Sequence, residues 1–323
     1  MALRRDRSRP DRDAPLPRGA DVNDKPKDMA VSARARLTNR ARERKENAQL
    51  LMTRYVIERL LWRLSVSPYR QLFVLKGAML FSLWAPTPYR ATGDLDLLGF
   101  GNNDPDQVAG LFREVMAIAA DDGIVFKPDT VVAAAARAED EYAGVRLDFQ
   151  AELAGARLPI HVDIGFGDAI TPGAQDIEYP SLLDLPPPKL RAYPPETVVA
   201  EKFQAMTALG MVNSRMKDFF DLWAIANTFA FEGTVLADAI AATFARRETP
   251  LPTEPPLALT AAFADAKQAQ WTAFLKRTEI SLAPEPFPEI QAQIVELVMP
   301  PTLSASKGEP FGAHWPAGGG WTT

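Results

Sequence analysis

The sequence predicts an α+β protein in which a small sheet domain with helices is followed by a helical C-terminal domain. Short apolar segments typical of strands alternate with helical periodicity up to about residue 185, and the pattern after that point is mostly helical. The chain has 323 residues, of which 47% are hydrophobic. It can therefore bury a sizeable core, in one or two domains.

The elements of the first half follow from periodicity and from stop signals. Residues 31–64 are predicted to be helical because apolar side chains recur near one face, and the "SPY" at 67–69 ends that helix. Short apolar runs that end at glycine, proline or aspartate indicate strands. The predicted strands are 71–77, 94–100, 130–137, 142–153 and 158–168, with helices over 78–85 and 104–123.

The second half begins after a Pro-rich stretch, "LPPPKLRAYPPE", which we expect to be a linker. Two helices follow, with Gly210 ending the first and Ser214 suited to be the N-cap of the second. The helices predicted here are 196–209, 215–229, 235–246, 256–277 and 287–298. The predicted domains are a disordered leader (1–30), an α/β domain with an N-terminal helical arm (31–185), a helical domain (186–300) and a flexible tail (301–323).

Composition excludes several kinds of chemistry. The chain has no cysteine, which rules out disulfides, thiolate nucleophiles and Cys-type zinc sites. It has only His161 and His314, too few to support a multi-His metal site. An enzyme made from this chain must use carboxylates, Lys, Arg and hydroxyls. No apolar run reaches the ~20 residues that span a bilayer, and the start lacks an apolar signal region, so we expect a cytoplasmic protein with no membrane partner.

Charge is distributed unevenly along the chain. Residues 1–54 hold 15 Lys and Arg against 8 Asp and Glu, a net of +7, and because the whole chain carries −5 the remainder carries −12. A basic arm can hold phosphate or another acidic surface, and the helix "ARARLTNRARERK" at 33–45 could contact RNA phosphates. The other interpretation is a solvated leader, which we prefer for residues 1–30.

An Asp-x-Asp pair, Asp94 and Asp96, stands at the start of a predicted strand. Side chains two apart in a strand share a face, so two ionised carboxylates there repel each other. A divalent cation removes that repulsion, and Mg²⁺ prefers oxygen ligands. Asp163, flanked by apolar residues in "IHVDIGFGD", also needs a partner or a metal. Taken alone, each of these aspartates could equally lie at a strand end in solvent or against a loop.

Residues around the pair are suited to phosphate. "VLKGAML" combines a strand, a glycine turn and a helix start at Lys76, Gly77 and Ala78, which directs backbone N–H groups toward a phosphate. Arg90 and Thr92 precede the aspartates and could contact phosphate oxygens. A strand–glycine–helix connection is common, so only the combination points to a phosphate site.

Together these motifs resemble the nucleotidyltransferase superfamily with the DNA polymerase-β-like fold. Its pattern is Gly-Gly/Ser at a helix start, Asp-x-Asp on a strand, and a third carboxylate on a neighbouring strand. Here the Gly-Ser position reads Gly77-Ala78, so a phosphate contact there would depend on backbone N–H groups. The resemblance implies a small mixed sheet with helices, with Asp94, Asp96 and Asp163 as ligands for Mg²⁺ or Mn²⁺.

The segment "YPPETVVAEKFQAMTALGMVNSRMKDFFDLWAI" at 193–225 resembles the AbiEii/AbiGii toxin branch of that superfamily. Members carry Ala-Glu-Lys on one helix and Arg-x-Lys-Asp-x-x-Asp opening the next. The resemblance extends over roughly 34–229. The matching residues here are Ala200, Glu201 and Lys202, then Arg215, Lys217, Asp218 and Asp221.

The resemblance implies a nucleotidyltransferase toxin of a type IV toxin–antitoxin or abortive-infection system. An NTP would bind over the Gly77 turn, and the acceptor would be the tRNA 3′ end, with an AbiEi-like protein as antitoxin. The implied catalytic residues are Asp94, Asp96, Asp163, Lys202 and Asp221. The implied nucleotide-binding residues are Lys76, Gly77, Ala78, Arg90, Thr92, Arg215 and Lys217.

Other interpretations use the same residues. The enzyme could transfer a nucleotide to a small molecule or a protein hydroxyl, or the chain could be a catalytically silent binding module, although the intact aspartate set argues against the last. His161 shares a strand face with Asp163 and could orient it, but a half-buried structural histidine is the favoured interpretation. For Arg146 we expect a structural pair with Asp148.

Overall fold

Seven strands form one mixed sheet in this computed structural model, which describes residues 28–84, 92–135, 144–280 and 282–323. The strands are β1 (Phe73–Lys76), β2 (Asp94–Gly99), β3 (Ile124–Ala135), β4 (Gly144–Leu153), β5 (Ala156–Phe166), β6 (Gln175–Glu178) and β7 (Lys189–Ala192). Their order is β3-β4-β5-β2-β1-β7-β6. The predicted α+β class with a mixed sheet is confirmed.

Helices flank the sheet and make up most of the second half of the chain. They are α1 (Met29–Arg44), α2 (Ala48–Val66), α3 (Leu80–Trp84), α4 (Pro105–Met116), α5 (Pro195–Leu209), α6 (Met216–Thr228), α7 (Gly233–Arg246), α8 (Ala261–Thr278) and α9 (Phe287–Lys307). Two short strands, β8 (Phe231–Glu232) and β9 (His314–Trp315), pair beside them. In the portion of the chain that the structure describes, none of the helices is both long enough and apolar enough to cross a membrane.

The central strands have one apolar face and one polar face. On β2, Leu95 and Leu97 are buried, while Asp94 and Asp96 point to the other side. Strand β5 alternates in the same way. Helices α2 and α4 cover the apolar face, where they contact β5 and β3, respectively. The opposite, polar face of the sheet therefore remains available for a site.

A buried ion cluster attaches α2 to the loop before β3. The Arg63 guanidinium donates to both oxygens of Asp122, and Arg59 donates to the same carboxylate from one turn earlier. The Tyr55 hydroxyl donates to the Asp122 carbonyl. These groups are almost fully buried, and because each charge has an opposite partner the cluster can lie in the core.

Several predicted elements differ from the structure in their extent. Strand β3 begins at Ile124, six residues before the strand predicted at 130–137, and α4 ends at Met116 rather than at 123. The helix expected over 31–64 is two helices, because Lys45 takes a left-handed conformation at the end of α1 and the Asn47 side chain caps α2. The expected Pro-rich linker contains β7, which pairs in parallel with β1. Proline cannot donate a ladder hydrogen bond, but the four residues of β7 contain none.

Helix α1 is docked on the body of the protein. Arg34 donates to the Ala154 carbonyl, Arg36 pairs with Asp184, and Arg40 donates to the carbonyl of Leu182. Ala154 follows the C-terminal end of β4, roughly 33 Å along the strand direction from its beginning. Three of the arginines expected to contact RNA therefore make intramolecular contacts.

The C-terminal segment packs against the helical half. Helix α9 continues to Lys307, and Trp315 is fully buried with its indole N–H donating to the Ala226 carbonyl at 2.9 Å. Trp321 stacks edge-on against Trp315 and Phe311. The glycine and proline content of residues 301–323 predicts a flexible tail. The structure differs because the two tryptophans supply the apolar area that anchors it.

Candidate active site

A cavity of about 480 Å³ opens on the polar face of the sheet. Strands β1, β2, β4 and β5 form its floor, and helices α5 and α6 form a wall. The predicted site residues that line it are Lys76, Gly77, Ala78, Thr92, Asp94, Asp96, Asp163, Lys202, Arg215 and Lys217. Asp221 lies behind Lys202, and Arg90 is outside the described residues.

The Gly77 turn is packed directly against the aspartates. Gly77 has a φ of +71°, which favours glycine, and a Cβ at this position would lie 2.0 Å from Oδ2 of Asp96. It opens a 3₁₀ turn, Gly77–Met79, that leads into α3. The first amides of such a turn have no partner within the helix, so the turn presents donors next to the carboxylate pair.

Asp94 and Asp96 are brought together with Asp163 by strand register. Strand β2 runs parallel to β5, and Asp96 lies opposite Asp163. On its other side β2 is antiparallel to β1, which places Lys76 opposite Asp96. Burial raises the pKa of Asp96; Lys76 and Lys217 lower it, and Asp163 and Asp94 raise it. The net upward direction means that the ionised Asp96 is destabilised.

The aspartate pair is suited to a divalent cation. No cation among the described residues forms an ion pair with Asp94 or Asp96, whereas the other acidic side chains that line the cavity each have one. No three His, Cys, Asp or Glu side chains in the described ranges are grouped to enclose a metal. Mg²⁺ is commonly held by one or two carboxylates together with substrate phosphates, so two unpaired aspartates fit it.

Asp163 has a partner that the sequence did not predict. The Arg146 guanidinium on β4 donates Nε to Oδ1 at 2.7 Å and a terminal nitrogen to Oδ2 at 3.0 Å. Our expected Arg146–Asp148 pair is therefore wrong; β4 and β5 are antiparallel with Arg146 directly opposite Asp163. A metal role for Asp163 stays a prediction, and it would require competition with this bidentate pair.

His161 is a half-exposed residue of β5. Its ring nitrogen Nδ1 contacts the Asp148 carboxylate, its cross-strand partner, and half of its side chain is accessible. The favoured interpretation of a half-buried structural histidine therefore agrees with the structure, although the carboxylate that it contacts is Asp148 and not Asp163.

Lys202 connects α5 to two buried carboxylates on α6. Its Nζ lies 2.6 Å from Asp218 Oδ1 and 2.9 Å from Asp221 Oδ2, and the Arg215 guanidinium lies 2.6 Å from Asp218 Oδ2. Asp218 and Asp221 are almost inaccessible to solvent. The motif residues of both helices thus meet in one ion cluster, which also forms the wall of the cavity.

The turn between α5 and α6 corrects one capping prediction. Helix α6 begins at Met216, and the side chain of Asn213, not Ser214, accepts the backbone N–H of Arg215 at 2.9 Å. The expectation for Ser214 was therefore wrong. The consequence is that Arg215 and Lys217 both face the cavity at the start of α6.

A second ion network, missed in the sequence, surrounds Lys76. Its Nζ lies 2.8 Å from Asp168 and 3.1 Å from Glu201, and Arg247 contacts the same two carboxylates. The Tyr193 hydroxyl donates to Glu201 at 3.1 Å. Although burial disfavours its ammonium, the surrounding anions raise the pKa of Lys76, so it stays protonated.

These missed residues left only partial signals in the sequence. Asp168 ends the "VDIGFGD" motif and Glu201 precedes Lys202, so both belonged to recognised motifs but had no partner assigned. Arg247 follows α7, far along the chain, and nothing local connects it to β1. Only the packing of α5 against α7 brings it to Lys76.

A family model agrees with the motifs. The family model described as "Nucleotidyl transferase AbiEii toxin, Type IV TA system" matches residues 59–293, more than half of the chain. A search of curated proteins finds no match. Among solved structures, JHP933 from Helicobacter pylori is similar over 81% of this chain and 94% of its own, with 14% identity and a TM-score of 0.46. A candidate nucleotidyltransferase from H. pylori covers 81% and 96%, with 15% identity and a TM-score of 0.45.

Proposed function

Because the chain belongs to the AbiEii family of nucleotidyl transferase toxins of type IV toxin–antitoxin systems, we propose that it transfers a nucleoside monophosphate from an NTP to the 3′ end of tRNA. The reaction would depend on Mg²⁺ or Mn²⁺. A protein similar to AbiEi would be the antitoxin. The acceptor and the antitoxin are inferred from family resemblance.

One observation carries the proposal of nucleotidyl transfer. The Gly77 turn, two aspartates that pair with no cation among the described residues, and the three cationic side chains of Lys202, Arg215 and Lys217 line the same cavity. Donors, metal ligands and cations are the groups that an NTP requires, since its triphosphate carries several negative charges. A silent binding module has no need of this combination.

In the proposed complex, the chain's own residues position the triphosphate. The amides of Gly77 and Ala78 would donate to phosphate oxygens, and Lys217, which is exposed at the start of α6, would contribute a mobile positive charge. Lys202 and Arg215 also line the cavity, but each already contacts Asp218. We therefore assign them to electrostatic stabilisation and to positioning of α6.

The transfer step requires one bond to form and one to break. The oxygen of the acceptor hydroxyl bonds to the α-phosphorus, the bond from that phosphorus to the β-phosphate oxygen breaks, and pyrophosphate leaves while the hydroxyl proton is released. A divalent cation at Asp94 and Asp96 would neutralise phosphate charge and acidify the hydroxyl. Asp163, held by Arg146, would complete the negative edge of the site.

Labelled NTPs incubated with the protein, total RNA and Mg²⁺ test the proposal. We expect label in the tRNA band, and loss of labelling with Asp96→Asn or after chelation of the metal. Label in protein or in a small-molecule fraction would mean that the acceptor is not tRNA, while nucleotidyl transfer itself would stand. If no fraction is labelled with any NTP, with Mg²⁺ or with Mn²⁺, nucleotidyl transfer itself is overturned.

A further inference from the structure

A second groove lies beside the cavity, on the other side of the start of α6. It has a volume of about 420 Å³ and is formed by the α5–α6 turn, the first residues of α6 and one face of α8. Arg215 and Lys217 line both spaces. The groove is therefore adjacent to the candidate active site, and these two side chains border both spaces.

The groove is cationic. Arg215, Lys217 and Arg277 line it, and none of the described residues that line it is acidic. Arg277 belongs to the groove alone, because it does not line the candidate active site. It is exposed, and no ion pair links it to another described residue.

A hydrogen bond between uncharged groups joins the two walls of the groove. Gln270 on α8 donates to the Ser214 carbonyl in the α5–α6 turn at 3.2 Å. Gln270, Phe274 and Arg277 recur at spacings of four and three along α8, which places them on one helix face. The groove is thus a surface between two joined elements, with the exposed side chains of Lys217 and Arg277 on it.

We propose that this groove binds the phosphate backbone of the RNA acceptor strand as its 3′ end enters the candidate active site. The inference rests on the proposed function, because it requires an RNA acceptor. An NTP already has the Gly77 turn, the metal and Lys217 in the main cavity. Arg277 adds a cation just outside that cavity, where a phosphate-bearing molecule longer than an NTP would contact it.

This placement differs from the one expected from sequence. The basic helix α1 was the predicted RNA contact, but Arg34, Arg36 and Arg40 contact the protein itself. The groove instead lies next to the residues that would carry out the transfer. A strand that reaches the α-phosphorus must pass a rim of the main cavity, and the rim at Arg215 and Lys217 has the complementary charge.

Charge reversal at Arg277 tests the inference, with its neighbour as the control. Arg277→Glu is compared with Lys276→Glu, which changes the same charge one residue away on α8 but outside the groove. We expect Arg277→Glu to raise the KM for RNA about tenfold and to flatten its dependence on salt by about one unit of log–log slope. The KM for NTP should be unchanged in both variants.

The outcomes separate the groove from the function it rests on. If wild type labels tRNA but Arg277→Glu and Lys276→Glu have the same RNA KM, the groove is not the acceptor path and the proposed function stands. If Arg44→Glu on α1 has the larger effect, the path runs over α1 and the inference is overturned. If wild type labels no RNA, both the acceptor assignment and the groove are wrong.

Discussion

At the scale of single residues, the decisive feature is that no cation in the described part of the chain pairs with Asp94 or Asp96, while the other acidic residues that line the cavity each have a cationic partner. Lys76 lies opposite Asp96 across the strand pair, yet its ammonium contacts Asp168 and Glu201 instead. Because Asp96 is packed under the Gly77 turn, its charge is poorly solvated. Electrostatic cost at a site is a common mark of function, since it is relieved only when the ligand binds.

We expect Asp96→Asn to abolish nucleotidyl transfer and to raise the melting temperature at neutral pH. Burial and neighbouring carboxylates raise the pKa of Asp96, so its ionised form opposes folding at pH 7. This destabilisation decreases as the pH falls from the raised pKa of Asp96 in the folded state to its ordinary pKa in the unfolded state. Below the unfolded-state pKa, Asp96 is neutral in both states, and the variant has no advantage. Thermal melts between pH 7 and pH 4 should show the gain diminishing.

Asp94→Asn is the matched control for this gain. Asp94 is exposed, so its substitution should also abolish transfer but leave the melting temperature nearly unchanged. Retained activity in the Asp96 variant would contradict the metal-site assignment. Equal stabilisation by both substitutions would contradict the role of burial.

Asp168 shows the opposite electrostatics. Burial would raise its pKa, but Lys76 and Arg247 together lower it to about 2. We expect Asp168→Asn to lower the free energy of unfolding by about 2 kcal/mol at pH 7, since the ionised form favours the fold. Urea denaturation should give the same difference at pH 5. The difference should decrease only below about pH 4, as the unfolded-state carboxyl and then the native one is protonated.

At the scale of elements, helices α5 and α6 form one unit with the sheet edge. The Lys202 ammonium neutralises Asp218 and Asp221 across the helix pair, while α6 presents Arg215 and Lys217 to solvent. A cation removed from this position leaves buried carboxylates poorly compensated. The helix pair is therefore a structural cluster as well as a wall of the site.

We expect Lys202→Ala to destabilise the protein by about 3 kcal/mol, as well as to weaken transfer. The measurement is urea denaturation of the variant against wild type. Lys217→Ala, which removes an exposed charge from the same wall, should change stability by less than about 0.5 kcal/mol. Adding Asp221→Asn to Lys202→Ala should recover part of the loss; no recovery would mean that the cluster is not the cause.

At the scale of the whole molecule, the C-terminal segment and the α/β domain are joined through the helical half. Trp315 is buried beside α6, its indole donating to the carbonyl of Ala226. Helix α6 in turn packs against α9. The position of Lys217 at the cavity therefore depends on residues that lie a hundred positions later in the chain.

We expect Trp315→Ala to lower the free energy of unfolding by about 3–5 kcal/mol, because the cavity left behind adds to the lost burial. Differential scanning calorimetry of the full-length variant and of wild type measures this difference in stability. Trp321→Ala is the control, since Trp321 is only half-buried and should cost clearly less. Equal, small losses in both variants would mean that this segment does not anchor the helical half.

The sequence by itself determined the motifs and most of the elements. Strand alternation places Asp94 and Asp96 on one face, and the order of glycine turn, aspartate pair and helix motif is contained in local sequence. The periodicity of α5 and α6 and the resemblance to the AbiEii family required no coordinates. These features are local, since each depends on residues a few positions apart.

Only the tertiary structure decided which charges meet. The antiparallel register of β4 and β5 pairs Arg146 with Asp163, and the packing of α7 brings Arg247 to Asp168. It also docks α1 on the body and buries the C-terminal tryptophan. Such contacts join segments that are distant along the chain, and sequence spacing does not specify them. Their energies arise from burial and opposite charge, which exist only once the strands and helices are packed.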